Sequence, residues 1–281
     1  MERPEIIFQS LDILGEGPLY DVIHDELYWV DINNMKLHRY SQEKEALTTF
    51  PMPGQISSIA LGKQDLLYAT MEHSIFSIRR DGKYAKMATI PLDPDERFND
   101  GKAGPMGLYV AGTMDKNEMA PIGSLYTFNG KEFKKILSDM TISNGLAWDL
   151  KRKVFYHIDS PRKTVNAYSY TEDMELMQLG VAADLRHENG VPDGMCISQD
   201  GVLFVAQWGG GKLSVWDPQT QKKLDEVIFP AKNITSCCFG GKDNSQLFVT
   251  SASQGPDDAY GGSLFRVGTQ FKGEKQFRLS F

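Results

Sequence analysis

The sequence predicts an all-β chain wound into a six-bladed β-propeller with four-stranded antiparallel blades. Three observations predict it. Helical patterning is nearly absent, because few windows keep an apolar stripe at i, i+3, i+4 and i+7. Short apolar or alternating runs, rich in β-branched and aromatic residues, recur between Gly, Asp, Asn and Pro; Leu27-Tyr28-Trp29-Val30 and Val154-Phe155-Tyr156-His157-Ile158 are examples. The same triple of strands also returns six times, its openings at positions 16, 58, 100, 144, 193 and 236 lying 42, 42, 44, 49 and 43 residues apart. Two β-sandwiches would give no reason for that return.

The units follow in order. Glu16-Gly17-Pro18-Leu19-Tyr20-Asp21 leads through a polar turn to Leu27-Tyr28-Trp29-Val30-Asp31 and then to Lys36-Leu37-His38-Arg39-Tyr40. Ser57-Ser58-Ile59-Ala60 leads to Leu66-Leu67-Tyr68-Ala69-Thr70, and Asn99-Asp100-Gly101-Lys102 to Leu108-Tyr109-Val110-Ala111-Gly112. Asn144-Gly145-Leu146-Ala147 leads to Val154-Phe155-Tyr156, and Asp193-Gly194-Met195-Cys196-Ile197 to Leu203-Phe204-Val205-Ala206. Ser236-Cys237-Cys238-Phe239 opens the sixth unit and leads to Leu247-Phe248-Val249-Thr250. Each unit has room for a third strand and a more variable outer one, which makes four per blade. The upstream run Glu5-Ile6-Ile7-Phe8-Gln9 is expected to pair with the last blade and seal the ring. No Gly/Ser-rich or Pro-rich linker interrupts the chain, so residues 1–281 read as one propeller domain.

Composition narrows the function classes. Net charge is −7, and no basic cluster exceeds Lys151-Arg152-Lys153, so nucleic acid is not an expected partner. No run of 18 apolar residues is present, and Met1-Glu2-Arg3-Pro4-Glu5 is not followed by the apolar stretch of a signal peptide; no membrane association is expected. Cys196, Cys237 and Cys238 cannot all pair, and free thiols suit a reducing compartment, the cytosol. A closed ring leaves no free edge, which makes a monomer the default.

Strand-leading residues of all units converge on the propeller axis. At that phase stand Glu16, Ser57/Ser58, Asn99/Asp100, Asn144, Asp193 and Thr235/Ser236, all oxygen donors, with no His or Cys among them. Carboxylates crowded around an axis repel and are poorly solvated unless a cation sits between them. An oxygen cage suits Ca²⁺, Mg²⁺ or Mn²⁺, with Zn²⁺ also acceptable. Taken singly, Asn99-Asp100-Gly101, Asn144-Gly145 and Pro192-Asp193-Gly194 also read as ordinary turns. Glu16 in Gly15-Glu16-Gly17-Pro18 is no turn favourite, yet it falls in phase with the others. Arg97 lies two residues before Asn99 and points the same way in an extended segment. It reads equally as a salt-bridge partner or as a fork for substrate oxygens. His24, His38, His73, His157 and His187 show no ligand spacing, and the Cys237-Cys238 pair reads as buried, inert thiols.

Gly15-Glu16-Gly17-Pro18, Tyr28-Trp29-Val30-Asp31-Ile32, Arg97-Phe98-Asn99-Asp100-Gly101-Lys102, Ala111-Gly112-Thr113-Met114, Ser143-Asn144-Gly145-Leu146, Tyr156-His157-Ile158-Asp159-Ser160 and Pro192-Asp193-Gly194-Met195-Cys196 together resemble the regucalcin (senescence marker protein), gluconolactonase and luciferin-regenerating-enzyme family. The match runs in order from about residue 15 to 266. The resemblance implies one divalent metal on the axis of a six-bladed propeller, held by Glu16, Asn144 and Asp193. It implies substrate contacts from Arg97 and Asn99, and hydrolysis of sugar lactones to aldonic acids. A further acidic contact of regucalcin maps by counting onto Asn117, with Glu118 the acidic residue next to it.

Lactone opening needs a polarised carbonyl, a delivered water and a stabilised oxyanion. A divalent ion serves the first and last, Asp193 is placed to act as general base as well as ligand, and Arg97 to share the negative charge. Two rivals come from other classes. A calcium-binding regulator would need a switch, and the sequence shows neither an EF-hand loop nor an amphipathic helix to expose. A WD-repeat scaffold would need its Trp-Asp dipeptides in every blade, whereas only Trp148-Asp149 and Trp216-Asp217 occur.

Overall fold

The computed structural model describes residues 1–253, 255 and 258–281. Its strands form six four-stranded antiparallel sheets arranged as the blades of a propeller. Within the first five blades the strand order follows the chain. The innermost strands are Gly15–Asp21, Ile56–Leu61, Glu96–Ala103, Ser143–Asp149, Val191–Ile197 and Asn233–Gly240. Nearly every residue of these strands is buried, because the channel lies on one side and neighbouring blades cover the other. Outer strands such as Ala46–Pro51 and Tyr84–Thr89 are mostly exposed, which explains their weak sequence signature. The only helical element among the described residues is the short 3₁₀ turn Ser160–Arg162. Among the described residues no helix is long and apolar enough to cross a membrane.

Ring closure follows the expected route. Glu5–Phe8 adds to the sixth blade as its outer strand, with Glu5 opposite Arg266 and Ile6 opposite Phe265. Phe8 packs edge-on against Tyr40 of the first blade at 5.0 Å between centroids, so closure also ties the two ends of the ring together by side chains. Apolar clusters fill the seams between blades; one gathers Leu213, Val215, Ile234, Phe239, Leu247 and Phe265 from the fifth and sixth.

The chain beyond Leu264–Gly268 carries a feature that strand periodicity does not predict. It crosses the face where the inner strands end. Gly273 bridges to Ser198, the Leu279 N–H donates to Leu61 O at 2.8 Å, and the Ser280 N–H donates to Gly107 O at 2.9 Å. Phe277 packs on Trp148, and Phe281 packs on Tyr68 and Phe128. The tail thereby caps the channel at one end and leaves the other for the site.

Candidate functional site

All six innermost strands slip register against their neighbours at the same phase, between Glu16 and Leu19, Ile56 and Ser58, Phe98 and Gly101, Asn144 and Leu146, Pro192 and Met195, and Ile234 and Ser236. A bulge turns a side chain out of the regular alternation. Asn99-Asp100, Asn144-Gly145 and Asp193-Gly194 are therefore bulges inside strands, not chain-reversing turns. Gly17 holds φ +56 immediately after Glu16 and gives its N–H to Glu16 Oε2 at 2.8 Å. At Gly194 an added Cβ would lie 2.1 Å from Ser236 Oγ, so only glycine lets the fifth and sixth inner strands approach there.

Glu16, Arg97, Asn99, Glu118, Asn144 and Asp193 line one cavity of about 440 Å³ at the end of the channel where these strands begin. The fold thus brings together six of the seven expected residues from the first, third, fourth and fifth blades. Asn117 is not among the lining residues; its N–H is spent on Asp115 Oδ1 at 3.0 Å. Asp115 also accepts from the Met119 and Ala120 N–H groups, and this clamp holds the loop in which Glu118 sits at φ +59. Ser57, Ser58 and Thr235 share the phase but face inward. Ser57 and Ser58 bond to Thr70, and Thr235 donates to Gly15 O at 2.6 Å.

Three carboxylates dominate the electrostatics. Burial, then the Asp100 charge, pushes the Glu16 carboxyl up to about 8. Burial, then Glu16 and Asp100, holds Asp193 well above the usual range, and burial raises Asp100 as well. One oxygen of Asp100 is buried without a hydrogen-bond partner. Lys102 relieves part of this field, but its ammonium donates to Met195 O. Among the described residues no three His, Cys, Asp or Glu side chains gather closely enough to hold a metal ion by themselves. A metal would therefore rest on two carboxylates plus the Asn144 amide oxygen. That set, desolvated and mutually repelling, fits a hard divalent cation.

Arg97 lies near the acids without pairing with any of them. Its Nη1 donates to Phe98 O at 2.9 Å and to Asn99 Oδ1 at 3.2 Å, and it enters no ion pair among the described residues. Burial lowers its pKa against the pull of Glu72, Glu118 and Glu16. No carboxylate comes within ion-pair distance of Arg97 among the described residues, and Arg97 lines the cavity. Asn99 Nδ2 donates to Ser143 O at 2.9 Å, and Asn144 Nδ2 donates to Ser160 Oγ at 2.9 Å.

Sequence reading missed three contributors. Asp31 accepts the Ile13 and Leu14 N–H groups, and Asp159 accepts those of Thr141 and Ile142, each anchoring the entry to an inner strand. The signal was present, as an Asp closing the second strand of the first and fourth units. Trp208, which lines the cavity from the fifth blade, had no such signal. The three cysteines are free and buried, with Cys196 Sγ 3.4 Å from Cys237 Sγ. Burial pushes the Cys196 and Cys238 thiols up, which leaves them protonated and unreactive.

Six four-stranded blades around a channel, with oxygen donors at one mouth and a cap at the other, define a propeller with an axial site. A family described as SMP-30/Gluconolactonase/LRE-like region matches residues 14–253, and the chain belongs to that family. It is similar to regucalcin of Oryctolagus cuniculus, 38% identical over 255 residues that cover 86% of this chain and 84% of the relative. An uncharacterized protein of Sulfolobus acidocaldarius is 34% identical over 278 residues, 98% of this chain and 99% of its own. Among solved structures, a luciferin-regenerating enzyme superposes with a TM-score of 0.92 at 28% identity, covering 100% of both chains. Membership supports a lactonase-type function.

Proposed function

We propose that this protein is a metal-dependent hydrolase that opens lactone rings, with sugar lactones such as glucono-1,5-lactone as the substrate class implied by its family. One observation carries the proposal. Glu16, Asn144 and Asp193 meet from three blades in a cavity that also receives an Arg97 guanidinium engaged in no ion pair.

Glu16, Asn144 and Asp193 would hold one divalent ion, Ca²⁺, Zn²⁺, Mg²⁺ or Mn²⁺, which would supply Lewis acidity toward the ring carbonyl. Asp193 accepts a proton from the attacking water. Arg97 orients the carbonyl side of the ring and shares the charge that builds on the tetrahedral oxyanion. Asn99 holds Arg97 in place through its Oδ1, and Glu118 faces the ring from the third blade. The protein works as a monomer on a small molecule in the cytosol, where its three thiols stay reduced.

The test is acid release from D-glucono-1,5-lactone by metal-stripped protein, with each of the four ions added back singly. Metal-dependent release is expected, and Asp193→Ala should abolish it. Full activity in that variant, or none with any metal or lactone, refutes the reading.

A further inference from the structure

The cavity lining holds a polar group that the proposed chemistry leaves unused. We infer that Trp208 is a further substrate-reading residue, its indole N–H bonding a ring hydroxyl of the sugar lactone from the fifth blade while Glu118 serves another from the third. The inference rests on the lactonase reading and deepens it. Trp208 ends the strand Leu203–Trp208 and pairs with Val191, two residues before Asp193 on the inner strand. It lines the cavity and is half-buried. The fold makes little use of this side chain. The ring belongs to none of the apolar clusters, and Nε1 has no hydrogen-bond partner among the described residues. The backbone around it, by contrast, is fixed. The Gly209 N–H donates to Asn233 Oδ1 at 3.1 Å, and the Gly210 N–H donates to Gln207 O at 3.1 Å. Gly190 packs so closely that an added Cβ would lie 2.7 Å from Trp208 O. A ligand that covers this firmly mounted ring must supply a partner for its N–H.

The other polar side chains of the lining are already assigned. Asn99 gives its amide hydrogens to Ser143 O and Asn144 Oδ1, and its own oxygen takes Arg97. Asn144 donates to Ser160 Oγ, which donates onward to Pro192 O at 2.7 Å. Glu16 and Asp193 are committed to the cation, and Arg97 to the ring carbonyl. That leaves the Trp208 N–H and the Glu118 carboxylate, which enters no hydrogen bond or ion pair among the described residues. One is a donor and the other an acceptor. A ring hydroxyl both donates and accepts, so a polyhydroxylated ring offers partners to both. A ring without hydroxyls offers none, and on binding it takes water from both groups and returns nothing. A site that hydrogen-bonds substrate hydroxyls rejects the analogue lacking them. At about 440 Å³ the cavity has room for such a ring.

Two lactones with the same six-membered ring test the contact in metal-loaded protein: D-glucono-1,5-lactone and δ-valerolactone, which carries no hydroxyl. Trp208→Phe keeps a flat apolar ring and removes the N–H. It should lower kcat/KM for the gluconolactone about tenfold and leave that for δ-valerolactone within about twofold. Equal losses on both lactones, or no loss on the gluconolactone, overturn the inference. A second measurement needs neither turnover nor substitution, because Trp208 alone of the four tryptophans lines the cavity. Wild-type protein labelled with ¹⁵N-tryptophan and loaded with Ca²⁺ or Zn²⁺ is titrated with the unreactive lactams D-gluconolactam and piperidin-2-one. One indole N–H signal should move downfield with D-gluconolactam and stay in place with piperidin-2-one. That result upholds the Trp208 contact even where neither lactone is opened, an outcome that refutes the lactonase reading alone. No shift with saturating D-gluconolactam, the same shift with both lactams, or no binding of D-gluconolactam overturns the inference.

Discussion

Arg97 and Asp193 do different work in the proposed chemistry, and single substitutions separate them. Arg97→Lys keeps the charge but loses the planar fork that bonds Phe98 O and Asn99 Oδ1. Its expected effect is a fall in kcat/KM of about tenfold to a hundredfold, with divalent-ion affinity by calorimetry unchanged within about twofold. Asp193→Asn keeps the shape and removes the charge. Ion affinity should then fall at least about tenfold, since one carboxylate of the pair with Glu16 is gone. The oxygen donors of this site were legible in the sequence because they recur at one phase of the repeat. Which of Asn117 and Glu118 reaches the cavity was not legible. Asp115 bends the loop through three N–H bonds, and counting along the chain cannot register that fold.

At the level of the strand, His157 ties stability to pH. It is buried on Val154–Asp159 with Nε2 2.8 Å from Ser143 Oγ, and burial lowers its pKa from 6.5 to about 3. The unfolded chain therefore binds the extra proton between these values. The neutral ring's contribution is fully present above pH 6.5 and is lost as pH falls toward 3. Between pH 6.5 and 4.5 the wild type should lose about 2 kcal/mol that His157→Gln does not lose, as read from urea unfolding at the two pH values. Asp159 is a second strand-level device. Asp159→Ala strands the Thr141 and Ile142 N–H groups and should cost about 1–3 kcal/mol by the same measurement. The strands themselves could be read from alternation and β-branched content. The six bulges could not, because a bulge is a mismatch between two strands and neither strand shows it alone.

Across the whole ring, stability depends on its closure. Deleting residues 1–9 would expose the open edge of Leu264–Gly268 and remove Phe8 from Tyr40. The melting temperature should fall by about 10 °C, and light scattering should detect association through the bared edge. The full-length ring should elute as a monomer. The capping tail contributes separately. Leu279 is 1% exposed, and Leu279→Ala should destabilise by about 2–4 kcal/mol without a tenfold change in kcat/KM, because the tail lies at the opposite end of the channel from the site.

The sequence alone determined the number of blades, the sealing role of Glu5–Phe8 and the phase at which oxygen donors meet the axis. These follow from local alternation and from a period, and both survive in one dimension. Only the tertiary structure decided which donors of that phase face a cavity and which are consumed by neighbours. Ser57, Ser58 and Thr235 turn to partners on adjacent strands, while Glu16, Asn144 and Asp193 turn to the channel mouth. It also decided that Trp208 and Ile142 line the cavity and that the last residues cap the far face. Such outcomes rest on contacts between strands, from a dozen to more than two hundred positions apart, and on side-chain directions set by bulges, and neither leaves a trace for periodicity to find.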